Sequence, residues 1–143
     1  MFKSILLTID LTDPATWVKA LPQAIEMAQW GGGVLHIVSV VPDMGTALVS
    51  SHFPEGFARD ALNKAKQALD NLVENNVPEG LEVHAHLAYG DIHEKAVEAI
   101  TRTGCDLVVM ASPAPDRVRE FLVGSNADRI VRRSPVSVLV VRS

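Results

Sequence analysis

Short apolar runs alternate along the chain with longer segments in which apolar residues recur every three or four positions. The short runs are rich in β-branched residues and mostly continuous, which is typical of parallel strands covered on both faces. Four such runs cover residues 4–9, 34–41, 106–111 and 136–141. A fifth run, 81–88, alternates apolar and polar residues, and we expect it to lie nearer an edge of the sheet.

The segments with helical periodicity lie between these runs, at residues 15–30, 57–75, 91–103 and 125–133. Gly31 and Gly104 follow the first and third of them, and Pro135 follows the fourth. Glycine is the usual residue just beyond a helix, and proline cannot continue one. The pattern therefore predicts four helices.

The resulting order of strands and helices predicts an α/β fold, in which a five-stranded parallel sheet carries helices on both faces as a three-layer sandwich. We expect a single domain spanning residues 1–143. In such a sheet, ligands bind outside the carboxyl ends of the strands, near a topological switch point. The long connection 42–56 follows a strand and so projects from that edge, where a lid and a simple connector are both open interpretations.

Composition narrows the classes of function. The single cysteine, Cys105, excludes an internal disulfide and a multi-cysteine metal site, and its surroundings predict an inert thiol at the edge of the core. The longest apolar runs are far too short to span a bilayer, and no signal peptide is recognisable, so we expect a cytoplasmic protein without membrane insertion. The net charge of −4 argues against nucleic acid as a partner.

Asp10 directly follows the first predicted strand, at the edge where a ligand is expected. A carboxylate there can accept hydrogen bonds from a ribose or an amino group. The alternative is a purely structural role, because Asp10, Thr12 or Asp13 could cap the next helix, with Pro14 in its first turn. Both interpretations hold together if Asp13 caps the helix while Asp10 faces the crevice.

Gly124, Ser125 and Asn126 open the last predicted helix. The free N–H groups and the positive dipole end of a helix form an anion site, and glycine lets a phosphate approach the backbone closely. The alternative is an ordinary helix with Ser125 as its N-cap. The local pattern alone favours this second interpretation.

The histidines carry a weaker signal. His84 and His86 share one face of a predicted strand, with His93 not far along the chain. Two histidines on one strand face can bind a metal, but no third ligand stands at a diagnostic spacing, so we predict no metal site. His36 is predicted to be a hydrogen-bonded imidazole in the core or at the crevice, and His52 falls in the long connection.

Several stretches resemble the universal stress protein family: ILLTIDLTD, LHIVSV, CDLVVMAS and above all VGSNADRIVRRSPVSVLVVR, together with the Gly90-Asp91 pair that opens a helix. The resemblance covers essentially the whole chain. It implies a Rossmann-like fold similar to the adenine-nucleotide alpha hydrolases. It also implies a stress-response regulatory protein that acts as a homodimer.

Family members that bind ATP carry a glycine, two residues, a second glycine, nine residues, and then glycine with serine or threonine. On this chain the spacing falls on Ala111, Ala114 and the pair Gly124-Ser125. The last two positions match and the first two do not. Alanine still permits close backbone approach, but it disfavours a left-handed conformation by about 1 kcal/mol. The departure therefore weakens binding before it abolishes it.

The same resemblance implies roles for residues near the other strand ends. Asp10 matches the acidic residue near the ribose, and Thr8 and Ile9 flank the adenine. Either Ile37 or Val38 lines the adenine pocket. The remaining positions that the resemblance assigns to nucleotide binding are Gly90, Ala111, Ala114, Gly124, Ser125 and Asn126.

Together these features predict a regulatory protein that binds an adenine nucleotide. ATP is the first choice, AMP, ADP or a cyclic nucleotide are alternatives, and Mg²⁺ could accompany ATP. No nucleophile with a paired base is recognisable, so we do not predict an enzyme. The alternatives are a nucleotide-free dimeric interaction protein and a slow ATP hydrolase.

The last strand, 136–141, is continuous, apolar and followed by only two residues. A strand laid down last is expected at an edge with unpaired backbone groups, which proteins seldom leave bare. We therefore expect a two-fold dimer through this strand. The alternative is an interior strand shielded by its neighbours.

Overall fold

The computed structural model describes residues 1–42, 57–112 and 125–143. In these residues the strands are β1 (Ser4–Ile9), β2 (Val34–Pro42), β3 (Val83–Gly90), β4 (Leu107–Ser112) and β5 (Ser137–Arg142). The helices are α1 (Ala20–Gly31), α2 (Phe57–Asn76), α3 (Ile92–Thr103) and α4 (Ser125–Arg133), and a short 3₁₀ turn covers Pro14–Thr16.

The five strands form one parallel sheet in the order β3-β2-β1-β4-β5. The predicted fold class is thereby confirmed, and so are the edge positions expected for β3 and β5. The chain runs outward from β1 to β2 and β3, then crosses back to β4 on the other side of β1. The topological switch point therefore lies between β1 and β4.

Alternate residues of the strands face two separate core clusters, because side chains along a strand point to opposite faces. On one face Ile5, Leu7 and Ile37 pack with residues of α1 and α2, including Leu21 and Leu69. On the other face Leu6, Val38 and Val108 pack with Ala96 and Ile100 of α3 and with Ile130 of α4. The sheet is thus covered on both sides, which explains why its central strands are continuously apolar.

The start of α1 differs from the prediction. The helical pattern predicts a helix from residue 15, but α1 begins only at Ala20. Residues before it are held in the 3₁₀ turn, in which the Asp13 carboxylate accepts a hydrogen bond from Ala15 N at 3.1 Å. The Thr16 hydroxyl ties this turn back to Asp10, whose N–H donates to it at 2.9 Å. These side-chain bonds compete with helix formation in residues 10–16.

The Gly31-Gly32-Gly33 stretch ends α1 and also lets the N-terminal segment pass close by. Gly32 has φ +64°, and its N–H bonds to carbonyls of the last helical turn. A Cβ on Gly31 would lie 1.9 Å from Phe2 O, and one on Gly33 would lie 2.2 Å from Lys3 O. The stretch therefore stops the helix and admits the chain that leads into β1.

Candidate functional site

A cavity of about 310 Å³ opens at the carboxyl ends of the central strands, at the topological switch point. It lies on the side of the sheet that α3 and α4 cover. Its walls come from three strands and both of these helices. The lining residues are Thr8, Ile9, Asp10, Asp13, Thr16, Val38, Val40, Ile92, Ala96, Met110, Ala111, Asn126, Ala127 and Ile130.

The end of β1 supplies the most polar wall of this cavity. Asp10 is exposed, and its Oδ1 accepts hydrogen bonds from the Thr12 N–H at 2.9 Å and the Thr12 hydroxyl at 2.7 Å. A carboxylate offers about four acceptor positions on its two oxygens, so Asp10 retains capacity for a ligand. Asp13 meanwhile caps the 3₁₀ turn. Both aspartates line the cavity, and Asp13 is the one that also caps the turn.

The opposite walls are formed by the N-terminal turns of α3 and α4. Ile92 and Ala96 of α3 and Ala127 and Ile130 of α4 supply apolar surface, and Asn126 supplies a polar group in the first turn of α4. Asn126 belongs to the first turn of α4, where backbone N–H groups have no helical partners. The cavity thus combines an apolar interior, a carboxylate on one side and a helix N-terminus on the other, the features expected of a site for a small polar ligand.

A second cavity of about 590 Å³ adjoins the first and shares Ile92 and Asn126 with it. Gly90 lies here, at φ +134°, a conformation that residues with side chains rarely adopt. Asp91 caps α3 by accepting hydrogen bonds from His93 N at 3.2 Å and Glu94 N at 3.5 Å. The lining of the second cavity is completed by His93, Glu94, Lys95 and Arg129.

The structure brings most of the predicted site residues together. Thr8, Ile9, Asp10, Val38, Ala111 and Asn126 line the first cavity, and Gly90 lines the adjoining one. Ile37 does not line either cavity, because it points to the other face of β2 and packs against α1 and α2. Of the two residues predicted for β2, Val38 is therefore the one that lines the cavity.

The remaining predicted positions are those expected to contact the phosphates of a nucleotide. Ala114 and Gly124 lie outside the described residues, as does most of the connection 42–56 with His52. Ser125 is the first residue of α4, and only its backbone is described. The assignment of these positions stays a prediction.

Sequence reasoning missed several lining residues, among them Val40, Ile92 and Thr16. Val40 could have been found, because it has the same parity along β2 as Val38. Ile92 follows the Gly90-Asp91 pair directly and so belongs to the first turn of α3. Thr16 could not have been predicted from the sequence, because its position at the cavity depends on the 3₁₀ turn that replaces the predicted start of α1.

Three further histidines of the described residues, His36, His84 and His86, form a group on β2 and β3, away from the cavities. His36 Nδ1 lies 2.9 Å from His86 Nε2, and the His36 ring stacks on His84 and His86 with centroids 5.2 and 5.1 Å apart. Burial lowers the pKa of His36, and so do the nearby His86 and His84, against a smaller raising effect of Glu82. Burial also lowers the pKa of His86, followed by the charge of Arg102 and by His84.

Three further observations concern the described residues. Within 1–42, 57–112 and 125–143 no group of three or more His, Cys, Asp or Glu side chains is arranged to hold a metal ion. Cys105 is buried, and burial raises the pKa of its thiol, which keeps it in the unreactive protonated form. None of the helices described is long and apolar enough to cross a membrane.

Comparison with known proteins gives consistent matches over the whole chain. The profile of the universal stress protein family matches residues 1–142. Universal stress protein G of Shigella flexneri is 30% identical, with 99% of this chain and all of that protein covered.

Solved structures share the fold. A universal stress protein in complex with cAMP superposes with a TM-score of 0.64 at 19% identity, covering 99% of this chain and 97% of the other. The universal stress protein from Archaeoglobus fulgidus in complex with dAMP gives a TM-score of 0.62 at 17% identity, covering 96% of each chain.

Proposed function

The chain belongs to the universal stress protein family, and on that premise we propose that it is a stress-response regulatory protein that binds an adenine nucleotide, ATP first, and signals through its conformation or its partners. We place this activity in the cytoplasm. The observation that carries the proposal is the cavity at the switch point, where the Asp10 carboxylate faces the first turn of α4. A nucleotide needs both ends of such a site, because its ribose donates hydrogen bonds and its phosphates accept them.

The dimensions and chemistry of the cavity support a nucleoside at this place. Its volume of about 310 Å³ is at the lower end of ordinary ligand sites, and the adjoining cavity extends it past Gly90. Val38, Met110 and Ile130 offer apolar surface for a base. That two relatives of the same fold were solved with cAMP and dAMP supports an adenine nucleotide as the ligand class.

We assign the phosphates of the nucleotide to the start of α4. The backbone N–H groups of Ser125 and Asn126, together with the Ser125 hydroxyl and the Ala114 amide, would form the cradle. Mg²⁺ would accompany ATP as a counter-ion of the phosphates. Ala111, where the family pattern has glycine, lines the cavity, and this replacement is the reason to expect weaker binding than in members with the full glycine pattern.

The test is calorimetric titration of ATP, ADP, AMP and cAMP into the wild type and into variants. Asp10→Ala is expected to weaken binding by about 1 to 3 kcal/mol, the range for a lost hydrogen bond to a charged group. Asp70→Ala is the matched control, because Asp70 is an exposed aspartate on α2, which covers the other face of the sheet. Gly124→Val is expected to abolish binding, since its side chain would stand where the phosphates approach.

The possible results of this titration distinguish a wrong assignment of site residues from a wrong proposal of nucleotide binding. An unchanged affinity in folded Gly124→Val would move the phosphate site elsewhere, and an unchanged affinity in Asp10→Ala would leave Asp10 a turn residue. A wild type that binds none of the four nucleotides would refute the proposed function. Phosphate release above the uncatalysed rate would instead make the protein a slow ATP hydrolase.

We also propose that the protein is a homodimer that pairs through β5. The support is the position of β5 at an edge of the sheet together with its composition, since the residues from Val138 to Val141 are all apolar. Val138, Leu139 and Val140 are only half-buried within one chain. A dimer through this strand would satisfy its outward backbone groups and cover these side chains.

A further inference from the structure

A guanidinium group faces the second cavity from α4. Arg129 lines this cavity together with Asn126, which also lines the first cavity. The two residues are three positions apart on α4 and therefore share one face of the helix. Long side chains on a helix point back toward its N-terminus. The Arg129 side chain therefore extends toward the first turn of α4, to which we assign the phosphates of the nucleotide.

The contact of Arg129 with α3 leaves its hydrogen-bond donors available. Nη1 of Arg129 lies 3.3 Å from Nδ1 of His93. The same Nδ1 lies only 2.6 Å from Asp91 Oδ1. Because a carboxylate only accepts hydrogen bonds, the Nδ1 proton is directed to Asp91, and no lone pair of Nδ1 remains for Arg129. The guanidinium thus lies beside the imidazole ring and keeps its N–H groups for another acceptor.

Arg129 also differs from neighbouring cations in its ion pairs. Lys95 lines the same cavity, and its Nζ lies 3.3 Å from Glu98 Oε2. One turn further along α4, Arg132 Nε lies 3.0 Å from Asp128 Oδ2. In the described part of the chain Arg129 forms no ion pair with a carboxylate. A guanidinium without an acidic partner is suited to a bound anion, and its planar donors match two oxygens of a phosphate.

The carboxylates of the second cavity favour the same wall. Asp91 and Glu94 line it from the start of α3. Their negative charges would repel a phosphate that approached α3, whereas the charge of Arg129 attracts one to α4. The electrostatics of the cavity therefore direct a phosphate toward Arg129.

The two cavities together give a nucleotide room in this direction. The first cavity, of about 310 Å³, is at the lower end of ordinary ligand sites, which suits a base with its ribose. The second cavity, of about 590 Å³, continues from the shared residues Ile92 and Asn126. A phosphate chain that begins at Asn126 therefore continues past Arg129 as it becomes longer.

We propose that Arg129 is a specificity-determining residue that binds the phosphates beyond the first and so selects adenosine di- and triphosphates over AMP and cAMP. This inference rests on the proposed function. The single phosphate of AMP or cAMP is held at the first turn of α4. The further phosphates of ADP and ATP enter the second cavity and accept hydrogen bonds from the Arg129 guanidinium.

The first experiment compares ATP, ADP and AMP in calorimetric titrations at one concentration of Mg²⁺. Arg129→Gln is expected to lower the affinity for ATP and ADP about tenfold, which corresponds to about 1.4 kcal/mol, and to leave the affinity for AMP as in the wild type. If Arg129 merely held α4 in place, AMP would lose affinity to the same extent. Arg132→Gln is the matched control, because Arg132 is exposed on the same helix and does not line either cavity. It should retain the preference of the wild type.

The second experiment follows the guanidinium itself and needs no variant. Nuclear magnetic resonance of the ¹⁵N-labelled wild type records the side-chain Nε signals of Arg129 and Arg132 during titration with ATP and, separately, with inorganic tripolyphosphate. We expect a saturable shift of the Arg129 signal with both compounds and none of the Arg132 signal. The tripolyphosphate titration examines the phosphate contact without a base or a ribose.

The results distinguish this inference from the proposed function. Unchanged ATP affinity in Arg129→Gln, an equal loss for ATP and AMP, or ATP binding without a shift of the Arg129 signal would each overturn the role of Arg129 while the proposed function stands. If tripolyphosphate shifts the Arg129 signal but no adenine nucleotide binds, the proposed function fails while the phosphate contact stands. If neither tripolyphosphate nor a nucleotide binds, both proposals fail.

Discussion

The two edges of the sheet, β3 and β5, occupy equivalent positions but have opposite chemistry. β3 carries His84 and His86, which with His36 of β2 form a group of three stacked imidazoles. β5 carries an uninterrupted apolar run from Val138 to Val141. An edge strand is open to pairing with another chain unless polar or charged side chains discourage it. The proposed dimer therefore uses the apolar edge, and we expect the polar edge at β3 to resist pairing with another chain.

The strongest test of this comparison introduces a charge into β5. Val140→Lys is expected to convert the proposed dimer into a monomer, because the ammonium group would be buried without a partner at the strand pair. The dissociation constant should rise by at least about a hundredfold, or about 2.7 kcal/mol. Sedimentation at micromolar concentration measures this change, and circular dichroism checks that the variant is folded.

The matched control places the same charge on the other edge. His84→Lys lies on an exposed position of β3 and should leave the assembly as it is in the wild type. A monomeric wild type, or a Val140→Lys protein that remains dimeric, would refute the dimer through β5. If His84→Lys dissociated the dimer, the interface would lie at β3 and not at β5.

A smaller effect is expected when β3 is made to resemble β5. The double variant His84→Val, His86→Val gives β3 a longer apolar run, so the protection of this edge is lost. We expect oligomers larger than the dimer, whose fraction grows with protein concentration in light scattering. The double variant His84→Gln, His86→Gln keeps the edge polar and should not form them. Equal behaviour of the two double variants would mean that the histidines do not protect this edge.

The smallest expected effect is a pH dependence of stability that originates at β3. Burial lowers the pKa of His36 and of His86 in the folded protein below the ordinary value of 6.5. The unfolded chain therefore takes up more protons once the pH falls below about 6.5, so the free energy of unfolding decreases on acidification and is fully retained above that value. Because both imidazoles are only partly buried, solvent screens their charges and the change should stay below about 1 kcal/mol.

Urea unfolding on either side of this range measures the effect at a fixed protein concentration, since dimerisation itself alters apparent stability. His86→Gln should show a shallower decrease than the wild type. The same decrease in both proteins would show that the imidazole group on β2 and β3 does not set the pH dependence.

Much of the fold could be predicted because its signals are local. Continuous apolar runs indicated covered parallel strands, and the alternation of residues 81–88 indicated an edge, which β3 occupies. The start of α1 could not be predicted, because the bonds between Thr16 and Asp10 override the helical periodicity of that segment. Side-chain to backbone bonds of this kind leave little trace in a pattern of apolar residues.

The candidate site was predictable to the extent that it depends on strand ends. Asp10 follows β1 directly, and parallel strands bring their carboxyl ends to one edge, so its place at the cavity follows from topology. Periodicity alone could not decide between Ile37 and Val38, because either face of β2 is covered by helices. The contact between His93 and Arg129 joins residues of two different helices, and no local pattern predicts it.

The position of β1 in the middle of the sheet has a consequence for synthesis of the chain on the ribosome. β1 is made first and pairs with β2 soon afterwards, but its other neighbour, β4, begins only at Leu107. At about 5 to 20 residues per second, the side of β1 that will face β4 stays unpaired for several seconds. We therefore expect nascent chains stalled before Leu107 to be bound by chaperones far more strongly than chains extended past Arg142, which crosslinking on stalled ribosomes would measure.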